Sequence, residues 1–571
     1  MRKGKIFGKL QLNPWKCVGL LVAGLLAHGI VLFTDYILWD GYWYYSELNK
    51  SLGPTGMRRL FSEIGRPLDY YFLIPFTILP GAVPPKIFGL IVWVLSPFPL
   101  MMLLRHGAKL PSELSLSAAL LASVLPVFDV LGEIAVWMNT FSWFVFLCGM
   151  TCLVYLPKAL GLPKLFLRLA TILLFLVAFN FNSLLVFFYA FAGFLFVGRA
   201  MVLPKERVFA YALDLVIRFG DFLLLPFLFW FAKNVLTPVH GYYADYNLPK
   251  LSVERLESGF SSLLYFLRGE GMDLTSSIGA IMLALLVGLV VVLGLATSSD
   301  SRQAKPSNPE WLSFGWLSLC GGGIMLVAAV LPYVVVGQSV SNSGWLSRNC
   351  ILTSVPLALI LSGLFLVLNQ FLFPRRPHVW KGAIATIVVL GVIASNRNYL
   401  QWQALGVKQD SIELKLRASI AESHAVVVQL RDYFMIPHTI YYYPPIVWTF
   451  LAAGKSTTPF TFVFDTAQMI PHQVEKSVTG ESQILFPQVP VTTPVLSEMI
   501  ERTTMPYIFE SIPTTGSQIM FIVQPGRFGS DGVSIGMKYL WLKWFRPSGI
   551  LDFLDQATET HVLKLPPITS V

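Results

Sequence analysis

Long apolar runs separated by short polar loops fill the chain up to residue 395. They cover roughly 17–34, 84–104, 113–128, 139–156, 165–180, 183–198, 209–232, 276–296, 312–336, 350–372 and 382–395. Most approach or exceed the roughly 20 residues with which a helix crosses a bilayer. The pattern predicts about eleven spanning helices. After residue 395 the pattern changes. An amphipathic helical stretch, Ala404–Ser423, leads into β-rich runs at Ala425–Val428, Phe460–Phe464 and Ile519–Val523, set among Pro, Gly and Thr turns. The expected fold is therefore mainly α. Residues 1–395 form a polytopic transmembrane helical bundle, and residues 396–571 form a small mixed α/β domain outside the membrane. No internal repeat or low-complexity segment is evident.

Composition agrees with that pattern. Hydrophobic residues make up 55% of the chain and charged residues only 13%, against about 25% charged in a soluble protein. The net charge of +10 need not point to nucleic acid, because the basic residues gather in alternate loops. These carry Arg105 and Lys109; Lys158 and Lys164; Arg199, Lys205 and Arg207; Arg302 and Lys305; and Arg375, Arg376 and Lys381. Such loops face the cytoplasm. The alternation predicts a multi-pass cell-membrane protein with a cytoplasmic N-terminus and an external tail. Arg2, Lys3, Lys5, Lys9 and Lys16 precede the first span with no small-residue cleavage site, which reads as a retained anchor. The five cysteines form no CxxC and no disulfide framework.

The first span is followed by FTDYILWDGYWYYSEL, residues 33–48. Charge beside hydrocarbon is costly, so Asp35 and Asp40 are candidates for a functional role. The segment from Trp39 to Leu48, with Asp40 before Tyr42, Trp43, Tyr44 and Tyr45, resembles the first external loop of the GT-C glycosyltransferase superfamily. Lipid A aminoarabinose transferases and protein mannosyltransferases carry an acidic residue there, ahead of an aromatic-rich helix. Downstream, Glu63-Ile64-Gly65-Arg66-Pro67-Leu68-Asp69 resembles the stretch leading into their second span, and its GRPL is similar to that of GtrII-type glucosyltransferases. The detailed likeness covers about forty residues. The chain departs from the family in lacking the adjacent acidic pair, since Gly41 follows Asp40.

The resemblance implies transfer from a polyprenyl-phosphate sugar at the outer mouth of the bundle. Inversion at the anomeric carbon needs a base for the acceptor hydroxyl, and a carboxylate serves. Asp40 holds the family position for that base, and Asp35 is the second catalytic candidate. The departing phosphate calls for Arg, with its planar fork. Arg66 and Arg348 are the leading candidates, and Arg58 with Arg59 the next. Trp39 and Tyr44 could stack on sugar rings, or belong with their aromatic neighbours to an interfacial belt. Asp129 and Glu133, in the second external stretch, share a face if that stretch is helical. They are candidates for binding substrate, and they offer the oxygen donors that Mg²⁺ or Mn²⁺ would take.

Other motifs are missing. There is no HExxH and no GxxxxGK[ST]. Gly321-Gly322-Gly323 falls inside a span and suits close helix packing. Asp214, Arg218 and Asp221 form a polar stripe in the seventh span, which suits internal ion pairing or an ion path. The expected function is sugar transfer to an envelope glycan, lipid or protein. The alternatives are a transporter or a lipid or polysaccharide flippase, and a non-catalytic scaffold for envelope assembly.

Overall fold

The computed structural model describes residues 14–37, 41, 58–59, 61–78, 83–182, 184–240, 252–268, 309–338, 340, 345–373, 379–423, 427–432, 434, 461–464 and 516–568. Apolar sequence becomes helix through the described first part of the chain, even across Pro75, Pro226 and Pro332. In order these are α1 (Pro14–His28), α2 (Asp69–Ile78), α3 (Val83–Leu95), α4 (Pro97–Met102), α5 (Ser112–Val124), α6 (Trp137–Tyr155) and α7 (Gly161–Phe181). They are followed by α8 (Leu185–Met201), α9 (Lys205–Leu236), α10 (Val253–Arg268), α11 (Pro309–Val335), α12 (Ser354–Leu372) and α13 (Val379–Ser423). Among the described residues eight helical stretches are long and apolar enough to cross a membrane, and α5 and α8 are shorter apolar helices. The expected run 276–296 lies outside the described residues.

In lipid, helices associate through close contact rather than through hydrophobic burial. An aromatic cluster joins α6, α7 and α8, where Phe146, Phe175, Phe187 and Phe191 are fully buried. Small residues bring α11 and α12 together. A Cβ on Gly363 would stand 2.6 Å from the Gly315 carbonyl oxygen, and one on Gly322 would stand 2.8 Å from that of Pro356. Polar groups inside the bundle find partners. The buried His28 ring meets Tyr399 Oη at 2.6 Å and the Ser123 carbonyl at 2.7 Å, which ties α1, α5 and α13 together.

Among the described residues, basic groups of these loops collect at one end of the bundle. Lys16 donates to Ser112 Oγ at 2.9 Å, and Lys381 pairs with Glu113 at 2.5 Å. Partial burial, with the charges of Arg199 and Lys158 alongside, holds the Lys109 ammonium below its ordinary pKa. The loops after α4, α6 and α8 therefore meet the starts of α1, α5 and α13.

The stripe on α9 closes as ion pairs. Arg218 pairs with Asp214 at 2.6 Å, while Arg168 of α7 binds Asp221 through two nitrogens at 2.5 and 2.9 Å. These side chains are partly exposed rather than enclosed by the bundle.

Helix α13 runs on through residue 395 to Ser423 without a break. Its 45 residues span ~68 Å, more than twice the roughly 30 Å of a hydrocarbon core. No Pro interrupts it, and its one Gly in the second half, Gly406, sits where Tyr36 approaches, 2.8 Å from where a Cβ would be. The second half carries a four-stranded sheet with β1 (Val427–Asp432), β2 (Thr461–Phe464), β3 (Gly516–Pro525) and β4 (Thr558–Ile568), in the order β2-β1-β3-β4. Strand β1 runs parallel to β2 and β3, and β4 antiparallel to β3. Between β3 and β4 lie α14 (Gly532–Phe545) and α15 (Ile550–Ala557). Ser411 Oγ donates to the Leu554 carbonyl at 2.5 Å, and Gly536 lets α14 lie directly against the Leu400 backbone.

Candidate functional site

The end of the bundle opposite the basic loops is lined by ionisable groups. Asp35 follows the turn that ends the first span. Its Oδ1 accepts from Gln403 Nε2 at 2.8 Å, and its Oδ2 accepts from Tyr539 Oη and Lys543 Nζ, both at 2.8 Å. Gln403 also takes the Asp35 backbone N–H at 3.0 Å. Burial alone would raise the Asp35 pKa. The hydrogen bond and charge of Lys543, with the hydrogen bonds of Tyr539 and Gln403, outweigh it and hold the carboxyl below its ordinary range. Burial and the Asp35 charge push the Tyr539 phenol in the opposite direction, upward.

Lys86, at the start of the second span, is only 3% exposed. Its ammonium donates to the Tyr36 carbonyl at 2.8 Å and lies 4.1 Å from the centre of the Tyr36 ring. Glu133 and Asp35 are the carboxylates whose charges act on it. Glu133 is 2% exposed, and its side chain lies directly against Gly41, leaving no space for a Cβ there. Gly41 therefore lies directly over Glu133.

A second group gathers around Arg66. Its Nε pairs with Asp69 Oδ2 at 2.6 Å, and its Nη2 donates to the Phe181 carbonyl at 2.9 Å. Asp69 is fully buried and also accepts from Asn180 Nδ2 at 2.6 Å. Burial raises its pKa to about 6, against the opposing pull of Arg66, Asn180 and Lys233. Tyr333 donates to Asn182 Oδ1 at 2.9 Å, and the charges of both Arg348 and Arg66 reach its ring. Arg59 pairs with Glu63 at 3.2 Å. An aromatic wall of Phe72, Phe76, Phe88, Trp137, Phe141 and Phe181 joins the two groups.

Of the residues expected from sequence, Asp35 and Glu133 thus act on Lys86 through their charges, and Arg66 and Arg348 on Tyr333. Trp39, Asp40 and Tyr44 lie outside the described residues. The α-helical spacing of Asp129 and Glu133 does not form. Asp129–Gly132 is a 3₁₀ turn, and Glu133 is extended at φ −81°, ψ 129°, capping the next turn by accepting from the Ala135 N–H. Among the described residues no three His, Cys, Asp or Glu side chains gather as a metal site.

Lys86, Asp69, Gln403, Tyr539 and Lys543 were not among the expected residues. Lys86 had a visible signal, a single cation inside an apolar run. Gln403, Tyr539 and Lys543 had none, because their partner is hundreds of residues away in sequence.

Compared with protein-family models, curated proteins and solved structures, the chain matches none. The eight long apolar helices among its described residues are those of a multi-pass membrane protein.

Proposed function

We propose that this protein is an inverting glycosyltransferase. It takes a sugar from a polyprenyl-phosphate carrier and gives it to a glycan, lipid or protein acceptor on the external face. The observation that carries the reading is the gathering of Asp35, Glu133, Arg66 and Arg348 at one end of the bundle, opposite the basic loops. In this reading the basic end is cytoplasmic, the N-terminus lies there, and the tail is external, with eleven spans in all. The resemblance of residues 39–48 to the GT-C external loop supplies the reaction class.

The acceptor oxygen attacks the anomeric carbon while the bond from that carbon to the phosphate oxygen breaks. The hydroxyl proton goes to a carboxylate, and the phosphate leaves on its lipid carrier. Arg66 and Arg348 offer positive charge for that phosphate. Asp40 is the base, next in sequence to Gly41, which lies against Glu133. Asp35 is a poor base because three donors already stabilise its anion. Its work is to fix the loop against α13 and α14. Mg²⁺ or Mn²⁺ would find its oxygen donors in Glu133, Asp129 and the loop.

Transfer from a polyprenyl-phosphate sugar by purified protein tests this. General-base catalysis contributes about 10² to 10⁴-fold, so Asp40→Asn loses at least two orders of magnitude while Asp35→Asn loses less. Arg348→Lys keeps the charge but not the fork, and lowers transfer without preventing insertion. Full transfer by both carboxylate variants would remove the reading.

A further inference from the structure

The outward face of α14 is left largely exposed by the described residues. Met537, Trp541, Trp544 and Phe545 follow the i, i+4, i+7, i+8 spacing of one helix face and are 56%, 54%, 56% and 76% exposed. The opposite face, with Ile535, Gly536, Tyr539 and Leu542, is buried. Two large exposed indoles and a phenyl on one turn and a half of helix are unusual on a surface that meets only water.

Two observations say what covers this face. The first is its level along the bundle. Nineteen residues, Pro14–Leu32, make the first span, about 28 Å at the helical rise, close to a hydrocarbon core. Phe33 comes next, and its ring meets Trp544 edge-on at 5.6 Å. Gly536 lies against Leu400, one helical turn beyond Asn396, whose side chain donates to the Leu26 carbonyl at 2.7 Å. Helix α14 therefore lies at the level where the first span leaves the hydrocarbon. Its aromatic face continues the exposed apolar side formed by Leu25 and Leu26 of α1 and by Leu32 and Phe33 just beyond it. The second is charge. No carboxylate occurs from Gly532 through Leu551, while Lys538, Lys543 and Arg546 do. Tryptophan on one face of a helix with basic but no acidic residues is the pattern of helices that lie in the plane of a membrane interface.

We propose that α14 is an interfacial helix, seated in the headgroup region of the leaflet on this side with Trp541, Trp544 and Phe545 reaching the acyl boundary. Its inner face then holds Asp35 through Tyr539 and Lys543 while its outer face is held by lipid. One helix thus ties the tail, the lipid surface and the candidate site together.

The test places p-benzoylphenylalanine at Trp541, at Trp544 and, as the water-facing control, at Glu559 on β4. The full chain is reconstituted in nanodiscs of phosphatidylethanolamine and phosphatidylglycerol, irradiated and analysed by intact mass. The expected result is phospholipid adducts at 541 and 544, at least fivefold more than at 559. Because the probe is itself a large aromatic on an exposed face, folding is checked independently by retention of the monodisperse elution of the unmodified chain. Adducts at 541 and 544 no more frequent than at 559 overturn the proposal. So does crosslinking of those positions to a second copy of the chain, which would make the face a protein interface.

Discussion

A carboxylate that already accepts from a lysine, a tyrosine and an amide has little basicity left to offer. Asp35 accepts from all three, so its place beside the first span assigns it to holding the loop. The sign of its pH dependence follows. Its folded pKa is depressed, so the stability it contributes is present in full above the ordinary value of 3.8 and is lost as pH falls through the lower folded value. The melting temperature of wild type should exceed that of Asp35→Asn at neutral pH, and the gap should close only below about 3.8. A gap that closes between neutral pH and 5 would mean that the Lys543 contact is too weak to anchor the tail. Nothing local in sequence marks Lys543 or Tyr539 as partners of Asp35. The contact arises only once α13 carries both halves of the chain, and no periodicity encodes it. Asp69 is the converse case, since burial rather than its partners governs its proton.

At the scale of elements, the bilayer made the spans legible. A helix that must satisfy its own backbone in lipid needs a long apolar run, and ten of the expected runs coincide with apolar helices. Two local features read differently in the structure. Residues 129–136 form two 3₁₀ turns because the chain reverses there between spans, so the acidic pair loses its helical spacing. The stretch 404–423 matched in helical type but not as a separate element, because α13 has no stop signal before Ser423. Helix contact gives a direct test. Gly363 faces the Gly315 backbone, whereas Gly323 meets nothing within 4 Å. Gly363→Val should destabilise by about 1–3 kcal/mol through overpacking. Gly323→Ala should be neutral or stabilising by up to ~1 kcal/mol. Thermal unfolding in detergent distinguishes them, and equal effects would contradict the close approach of α11 and α12.

The charges of the described residues are polarised along the helical bundle. Lys16, Lys109, Lys158, Arg199 and Lys381 meet at one end, and the candidate site lies at the other. If the basic end is cytoplasmic, a cysteine placed at Ser530 is labelled by an impermeant reagent from outside, and one at Ser301 is not. The reverse pattern would put the site on the cytoplasmic side and take away the case for an external donor. The candidate site itself was legible only in part. Its charges stood out against an apolar background, but their grouping around Lys86 and Tyr333 depends on which helices become neighbours.

The central claim is that this end of the bundle receives a lipid-linked phosphate. The most direct measurement is a structure of the full chain with a polyprenyl phosphate bound. The account predicts the phosphate between Arg66 and Arg348 on one side and the loop bearing Asp40 on the other, with the prenyl chain leaving between the spans. A phosphate bound among Arg105, Lys109, Lys158 and Arg199, at the opposite end, would contradict it.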